Sequence, residues 1–495
     1  MQRTYPKACV AVSVFLLTMT STAFAAKVIY VDANATGANN GLSWTDACNF
    51  LQDALMISSA GDEIRVAQGI YNPDQFVLSK RPNLGRAETF HLKNGLTIQG
   101  GYAGFSEPDP DARNIDAYET ILSGDLAGND VDVNDPCDLL HAPSRAENSL
   151  HVATARDLDK VVLDGLTITA GHADGSWADY SNASGAGLYA GFSNVEVVNC
   201  TFRGNSASIY GGGIHSYSTT LTVRGCTFID NAADRGGGLS SEGNLELADS
   251  FFRRNHASLW GGAMVTEGMT AANVVIAGNT ATEAGGGIYN GWSDATLTNC
   301  TIISNVAASG VAIAGSIESD VAIASCILWA NQAEIGSQLS FSDPHYGADI
   351  YVSFSDVQGG SDGVHIGEGA ELFWQDGNID IDPQFANAQE DNFHLKSQAG
   401  RYDPNPPSAG AWVYHDVTSP CIDAGNPMSP IGTEPFPNGG IANMGAYGGT
   451  AEASKSYFDK PPCKTIIAGD INGDCKVDYS DFALMAFHWL EHHSP

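Results

Sequence analysis

Basic side chains are scarce in this chain: 23 Lys plus Arg face 57 Asp plus Glu, a formal charge of −34 over 495 residues. So acidic a surface repels nucleic acid and anionic membranes, which excludes both as partners. Leu and Lys are too few for a solenoid of helix pairs. Long apolar runs are missing too, and the run at 9–19 is too short to span a bilayer. It follows Arg3 and Lys7 and precedes Ala23-Phe24-Ala25, an A-x-A cleavage pattern, so residues 1–25 are expected to be a removable signal peptide. The mature chain is then secreted or held at the cell surface with no transmembrane segment, at a formal charge of −36 from 21 Lys plus Arg and 57 Asp plus Glu.

Glycine, by contrast, is plentiful at 55 residues, and much of it is periodic. The motif Asn199-Cys-Thr-Phe-Arg-Gly-Asn205 returns as Gly225-Cys-Thr-Phe-Ile-Asp-Asn231, Asp249-Ser-Phe-Phe-Arg-Arg-Asn255, Asn273-Val-Val-Ile-Ala-Gly-Asn279, Asn299-Cys-Thr-Ile-Ile-Ser-Asn305 and Ser325-Cys-Ile-Leu-Trp-Ala-Asn331. Its final asparagines recur every 24 or 26 residues. A second register begins at Gly211, Gly236, Gly261 and Gly285 and ends each time in Ile214, Leu239, Met264 or Ile288. Two locked registers define a solenoid. Apolar residues alternate within each copy, as at Cys200 and Phe202, and helical spacing is never sustained, so the copies are short strands and turns. A repeat of about 25 residues holds roughly three strands plus turns, one coil of a parallel β-helix with coils ~4.8 Å apart. Asn205, Asn231, Asn255, Asn279, Asn305 and Asn331 are then expected to form a side-chain ladder at a bend that needs a left-handed or bridge conformation, with the glycines turning a second bend.

The expected layout is a cap at 26–62, a β-helix at 63–450, a linker at 451–462 and a separate module at 463–495. In the cap, Phe50, Leu51, Ala54 and Leu55 have helical spacing and can cover the first coil's core. The coils are most regular at 160–335, and residues 419–449 are expected to close the barrel. An insertion at 102–156 carries Asp109, Asp111, Asp125, Asp130, Asp132 and Asp135 and is expected to be a solvated loop rather than a calcium site. Nine cysteines remain after cleavage. Cys200, Cys226, Cys300 and Cys326 fall in one inward column, as buried thiols. Cys463 and Cys475 bracket a short segment and are the better disulfide candidates in an exported protein. Cys48, Cys137 and Cys421 have no partner assigned.

The C-terminal module carries the most specific chemistry. Asp470, Asn472, Asp474, Asp478 and Asp481 occupy positions 1, 3, 5, 9 and 12 of one loop, with the Lys476 carbonyl at position 7. Hard oxygen ligands at that spacing suit Ca2+. Phe482, Met485, Ala486 and Trp489 follow on one helical face, so the fold class is all-β with a small α-helical calcium-loop module. Asp481 stands where an ordinary EF-hand has Glu, and Cys475 where it has Gly. The combination resembles one repeat of a type I dockerin, which implies calcium binding and a cohesin-type protein partner. In the solenoid, Phe202-Arg-Gly-Asn205 with Gly211-Gly-Gly-Ile214 resembles the repeats of polymorphic outer-membrane proteins and of right-handed β-helix proteins that bind or hydrolyse sugars. The resemblance covers mainly 160–335 and implies a right-handed parallel β-helix at an extracellular location; after Gly449 too few residues remain for a membrane barrel.

Two outward constellations are candidates for ligand contact. Tyr210, Arg235 and Trp260 precede the glycine bends of successive coils, and Tyr189, His215 and Tyr289 follow them. Aromatic faces beside a guanidinium suit stacking on sugar rings, although the same residues could simply stack on one another. Arg203, Asp230, Arg253 and Arg254 form the second, expected to be a surface ion cluster because Asp230 has no acid beside it in its column. The Asn-Thr-Asp, Asp-Asp, Gly-His-Gly and Arg-Ile-Lys motifs of polygalacturonase-like helices are absent. The function expected is binding of an extracellular polysaccharide or cell-surface glycan. A polysaccharide lyase or glycoside hydrolase, or a purely structural or adhesive surface protein, are the alternatives, so enzyme status stays open.

Overall fold

The computed structural model describes residues 26–79, 81–316, 320–341, 348–404, 410–458, 476–479, 481–483 and 485. One coil shows the plan: strands Leu188–Gly191, Asn194–Val198 and Thr201–Arg203, a short fourth strand Ser206–Ala207, then the glycine bend. Each pairs in parallel with its equivalent in the next coil, Leu188 with Ile214, Val195 with Leu221, Thr201 with Thr227. The third-strand positions stack into a ten-stranded sheet, while the first and second share one twenty-stranded sheet. This is the parallel β-helix that the two registers predict. Inside it, the Phe202 and Phe228 rings stack at 5.0 Å and those of Phe228 and Phe252 at 4.4 Å. The column continues through Ile276, Ile302 and Leu328, all fully buried, each worth about 1.5–3 kcal/mol of burial.

The asparagine ladder is continuous. Nδ2 of Asn205 donates to Oδ1 of Asn231 at 3.0 Å, and the step repeats at 2.9–3.0 Å as far as Asn331. Each Oδ1 also accepts the backbone N–H of the preceding asparagine, and Asn331 ends the row on Gln338 Oε1 at 2.8 Å. The left-handed residue is not the asparagine but the one before it, as at Asp230 (φ 56°), Arg254 (φ 50°) and Ser304 (φ 55°). Reversal one residue earlier turns the asparagine inward, where its amide reaches the next coil. At the preceding turn the Cys200 N–H donates to Cys226 Sγ at 3.4 Å and the Cys226 N–H to Ser250 Oγ at 3.1 Å. Both thiols are free and buried, as the column predicts, and they also satisfy turn amides. At the glycine bend, a Cβ on Gly237 would sit 2.3 Å from the His256 carbonyl oxygen, so no larger residue fits.

Several boundaries differ from expectation. Val28–Val31 already pairs in parallel with Glu63–Ala67, so the solenoid begins inside the stretch expected to cap it, and only the helix Leu51–Ile57 serves as the cap. Within 102–156, Thr120–Ser123 is a coil strand between Gly69–Tyr71 and Thr167–Thr169, its buried Leu122 facing the core. The insertion is therefore two separate loops. Residues 451–458 are packed rather than a linker: Ser454 Oγ donates to the Leu395 carbonyl at 2.5 Å and Ser456 Oγ to Asp423 Oδ1 at 2.7 Å. Residues 419–449 do not close the end of the barrel. They run back along its side, where Asn273 and Asn299 donate to the carbonyls of Ala446, Gly448 and Asn443. Residues 1–25, Cys463, Asp470, Asn472, Asp474 and Cys475 lie outside the described residues. Of the expected calcium ligands, Lys476, Asp478 and Asp481 are described, and the Asp478 N–H donates to Asp481 Oδ2 at 2.8 Å.

Candidate functional site

Alternation along the first strands turns Ile214, Leu239, Met264 and Ile288 into the core and the residues after them outward. Two outer columns result: His215, Ser240, Val265, Tyr289, and Tyr217, Glu242, Glu267, Gly291. Tyr210, Arg235 and Trp260 stack beside them at the glycine bend. All six residues of the expected constellation are thus brought together, Tyr189 pairing with His215 in the preceding coil. Their faces, however, are largely taken by one another. The Arg235 guanidinium lies 5.5 Å from the Tyr210 ring, 4.8 Å from Trp260 and 5.2 Å from Trp177, while Trp260 stacks on Tyr289 at 5.1 Å. His215 has no exposed surface, because Tyr180 of the 3-10 segment Trp177–Ala183 covers it between Tyr189 and Tyr210. It is an interior support, not the surface contact the spacing suggests.

Tyr180 ties that support to an acid. Its hydroxyl donates to Glu242 Oε1 at 2.8 Å, so its oxygen accepts from His215 Nε2 at 3.0 Å. Burial, and secondarily His151, pushes His215 down to about 3, which keeps the ring neutral. Burial raises Glu242 above the usual carboxylate range, with the Tyr180 hydrogen bond opposing. Burial and then the charge of Glu242 raise Glu267. The Tyr210 phenol is raised by burial, with Arg235 opposing and both glutamates adding, so it stands in the field of all three. An acid pair therefore exists, not as a sequence motif but as two residues 25 apart on adjacent coils. That offset equals the repeat and was the signal for it; Tyr180 and Trp177 come from a non-repeating segment that gives none.

Beside the pair runs a groove of ≈ 570 Å³ lined by Glu242, Asn244, Glu267, Thr270, Asp294 and Thr296. Phe192 (62% exposed), Tyr217 (39%) and Trp292 (59%) are large exposed aromatics of the same strand ends and turns. Phe192 and Trp292 adopt left-handed φ of 51° and 61° at the turn where another coil uses Gly268. A bulky aromatic there costs on the order of 1 kcal/mol or more that glycine avoids.

The second constellation is partly ionic, as expected. Asp230 accepts from Arg254 at 2.8 and 2.6 Å, and Arg253 pairs with Asp391. Arg203 departs from the expected pairing: its side chain has no partner among the described residues, and it lines a cleft of ≈ 420 Å³ together with Asp125, Asp130, Asp132 and Arg145. Acids missing from its own column are supplied by the insertion.

Comparison with known proteins agrees with the fold. A family model described as right handed beta helix region matches residues 159–302, and one described as disaggregatase related matches 366–425. No curated protein matches. Among solved structures, the crystal structure of pectate lyase Pel9A superposes with a TM-score of 0.46 at 13% identity, covering 85% of this chain and 96% of that one. The repeat region is thus a right-handed parallel β-helix.

Proposed function

We propose that this protein binds an extended, neutral polysaccharide in the groove beside the first strands. The observation that carries this is the pair of exposed aromatics, Phe192 and Trp292, held in left-handed turns at a conformational cost that glycine would remove. They stand four coils apart, ~19 Å at strand spacing, which suits a chain rather than a single sugar. Between them Glu242, Glu267, Asp294, Asn244, Thr270 and Thr296 offer the acceptors and donors that sugar hydroxyls use, and the carboxylates disfavour a polyanionic chain.

Hydrolysis of the bound chain is favoured by one further observation, the raised carboxyl groups of Glu242 and Glu267 on adjacent coils. Acid-base cleavage of a glycosidic bond uses two carboxyls beside it, one of them raised so that it stays protonated as the acid. The proposal extends to the sequence motifs. The protein is secreted or cell-surface bound, and its dockerin-like module holds Ca2+ through Asp470, Asn472, Asp474, Lys476, Asp478 and Asp481 and docks on a cohesin-type partner. Titration with neutral oligosaccharides of increasing length tests the groove. Affinity should rise up to the length that spans it, and Trp292→Ala should weaken binding about fivefold, or ~1 kcal/mol. Unchanged affinity in that variant would remove the groove. New reducing ends that Glu267→Gln abolishes while binding persists would establish cleavage.

A further inference from the structure

The loop at 124–152 collects carboxylates that its own hydrogen bonds leave unfinished. Asp125, Asp130 and Glu147 each bring one oxygen within 4.8 Å of the others. Asp125 is already held, accepting the backbone N–H groups of Gly128, Asn129 and Asp130 at 2.7–3.1 Å. What surrounds it is not held. Asp130 Oδ1, Glu147 Oε1 and Asn148 Oδ1 are all buried without a donor. Asn148 is fully buried, and its orientation is fixed because Nδ2 donates both to Asp130 Oδ2 at 2.9 Å and to the Ala170 carbonyl at 2.8 Å. Its amide oxygen is therefore left unpaired next to the same carboxylate. Buried acceptors lacking donors are destabilising, so three in one cluster call for something positive among them. Arg145 does not fill that role: its guanidinium reaches Asp130 Oδ2 at 3.2 Å and spends Nη2 on the carbonyls of Gly171 and Gly204. Arg203 lines the same cleft but donates to none of these oxygens, so among the described residues Arg145 is the one guanidinium that reaches the three carboxylates.

We infer that Asp125, Asp130, Glu147 and the Asn148 amide oxygen bind a hard divalent cation of the Ca2+ class, which fastens this loop across the coils. All four offer oxygen, carboxylate-rich and without sulfur or imidazole, the donor set that selects Ca2+ over transition metals. The partners of Arg145 and Asn148, Ala170, Gly171 and Gly204, belong to two successive coils, so an ion here would join the loop to the solenoid wall. The site is separate from the C-terminal loop, and the experiment must keep them apart. In full-length protein carrying Asp470→Ala and Asp481→Ala, equilibrium dialysis against Ca2+ should still find one bound ion per chain. Adding Glu147→Gln, a side chain that takes no part in the hydrogen bonds of Arg145 and Asn148, should weaken that ion at least tenfold. Proteolytic cleavage at the exposed 127–129 turn should slow on adding Ca2+ in the first protein and not in the second. Retention of no ion by the Asp470→Ala, Asp481→Ala protein, or equal affinity with and without Glu147→Gln, would overturn the assignment.

Discussion

At the scale of single residues, the ladder asparagines show why one side chain can matter more than its size. Asn255 accepts from both the backbone and the amide of Asn231 and donates to the Phe228 carbonyl. Asn255→Ala would orphan two buried donors and an acceptor, so it should cost about 3 kcal/mol or more in urea unfolding, where a surface asparagine costs little. Glu434 makes a second forecast. Burial raises its carboxyl from 4.5 to about 7, although Oε1 accepts from Asn443 and Gly449. An acid raised in the folded state favours folding below its unfolded pKa, and that contribution is lost as pH climbs from about 4.5 to 7. Glu434→Gln should therefore gain on the parent, by on the order of 1–2 kcal/mol, across that window and no further above it. His215, down at about 3, acts with the opposite sign. A basic group depressed by folding supports stability above its unfolded value of 6.5 and loses that support as pH falls toward 3. Urea midpoints at half-unit pH steps separate the two.

At the scale of elements, the strand Thr301–Ile303 illustrates what was legible in the sequence. Ile302 lies fully buried between Ile276 and Leu328, so Ile302→Pro removes a core side chain and a ladder donor together and should cost at least 3 kcal/mol, with loss of β circular dichroism on mild heating. Strands, ladder and glycine bends could be read because each coil repeats the same steric problem and solves it with the same residue. Elements that solve a problem only once could not. Val28–Val31 has no earlier copy to align with, Thr120–Ser123 is hidden between two acidic loops, and the Trp177–Ala183 segment that buries His215 has no counterpart among the described residues of other coils. The candidate site divides in the same way. Tyr210, Arg235 and Trp260 share a column, as their spacing indicates, but how far they cover one another depends on Trp177 and Tyr289. Glu242 and Glu267 stand at the repeat offset, but no contiguous acid motif marks them in the sequence.

At the scale of the whole molecule, a long thin core gives the chain surface out of proportion to its volume, and that surface is strongly acidic. Such a field disfavours polyuronates, which is why the proposed ligand is a neutral chain held by stacking and hydrogen bonds. The claim that function resides in the groove between Phe192 and Trp292 is tested most directly by affinity electrophoresis of the full-length protein through gels containing a neutral polysaccharide or a polyuronate. Retardation by a neutral polysaccharide, insensitive to 0.5 M salt, where the Debye length falls to roughly 4 Å, and relieved by Trp292→Ala, is the result expected. Retardation by the polyuronate alone, or equally strong in Trp292→Ala, would contradict it.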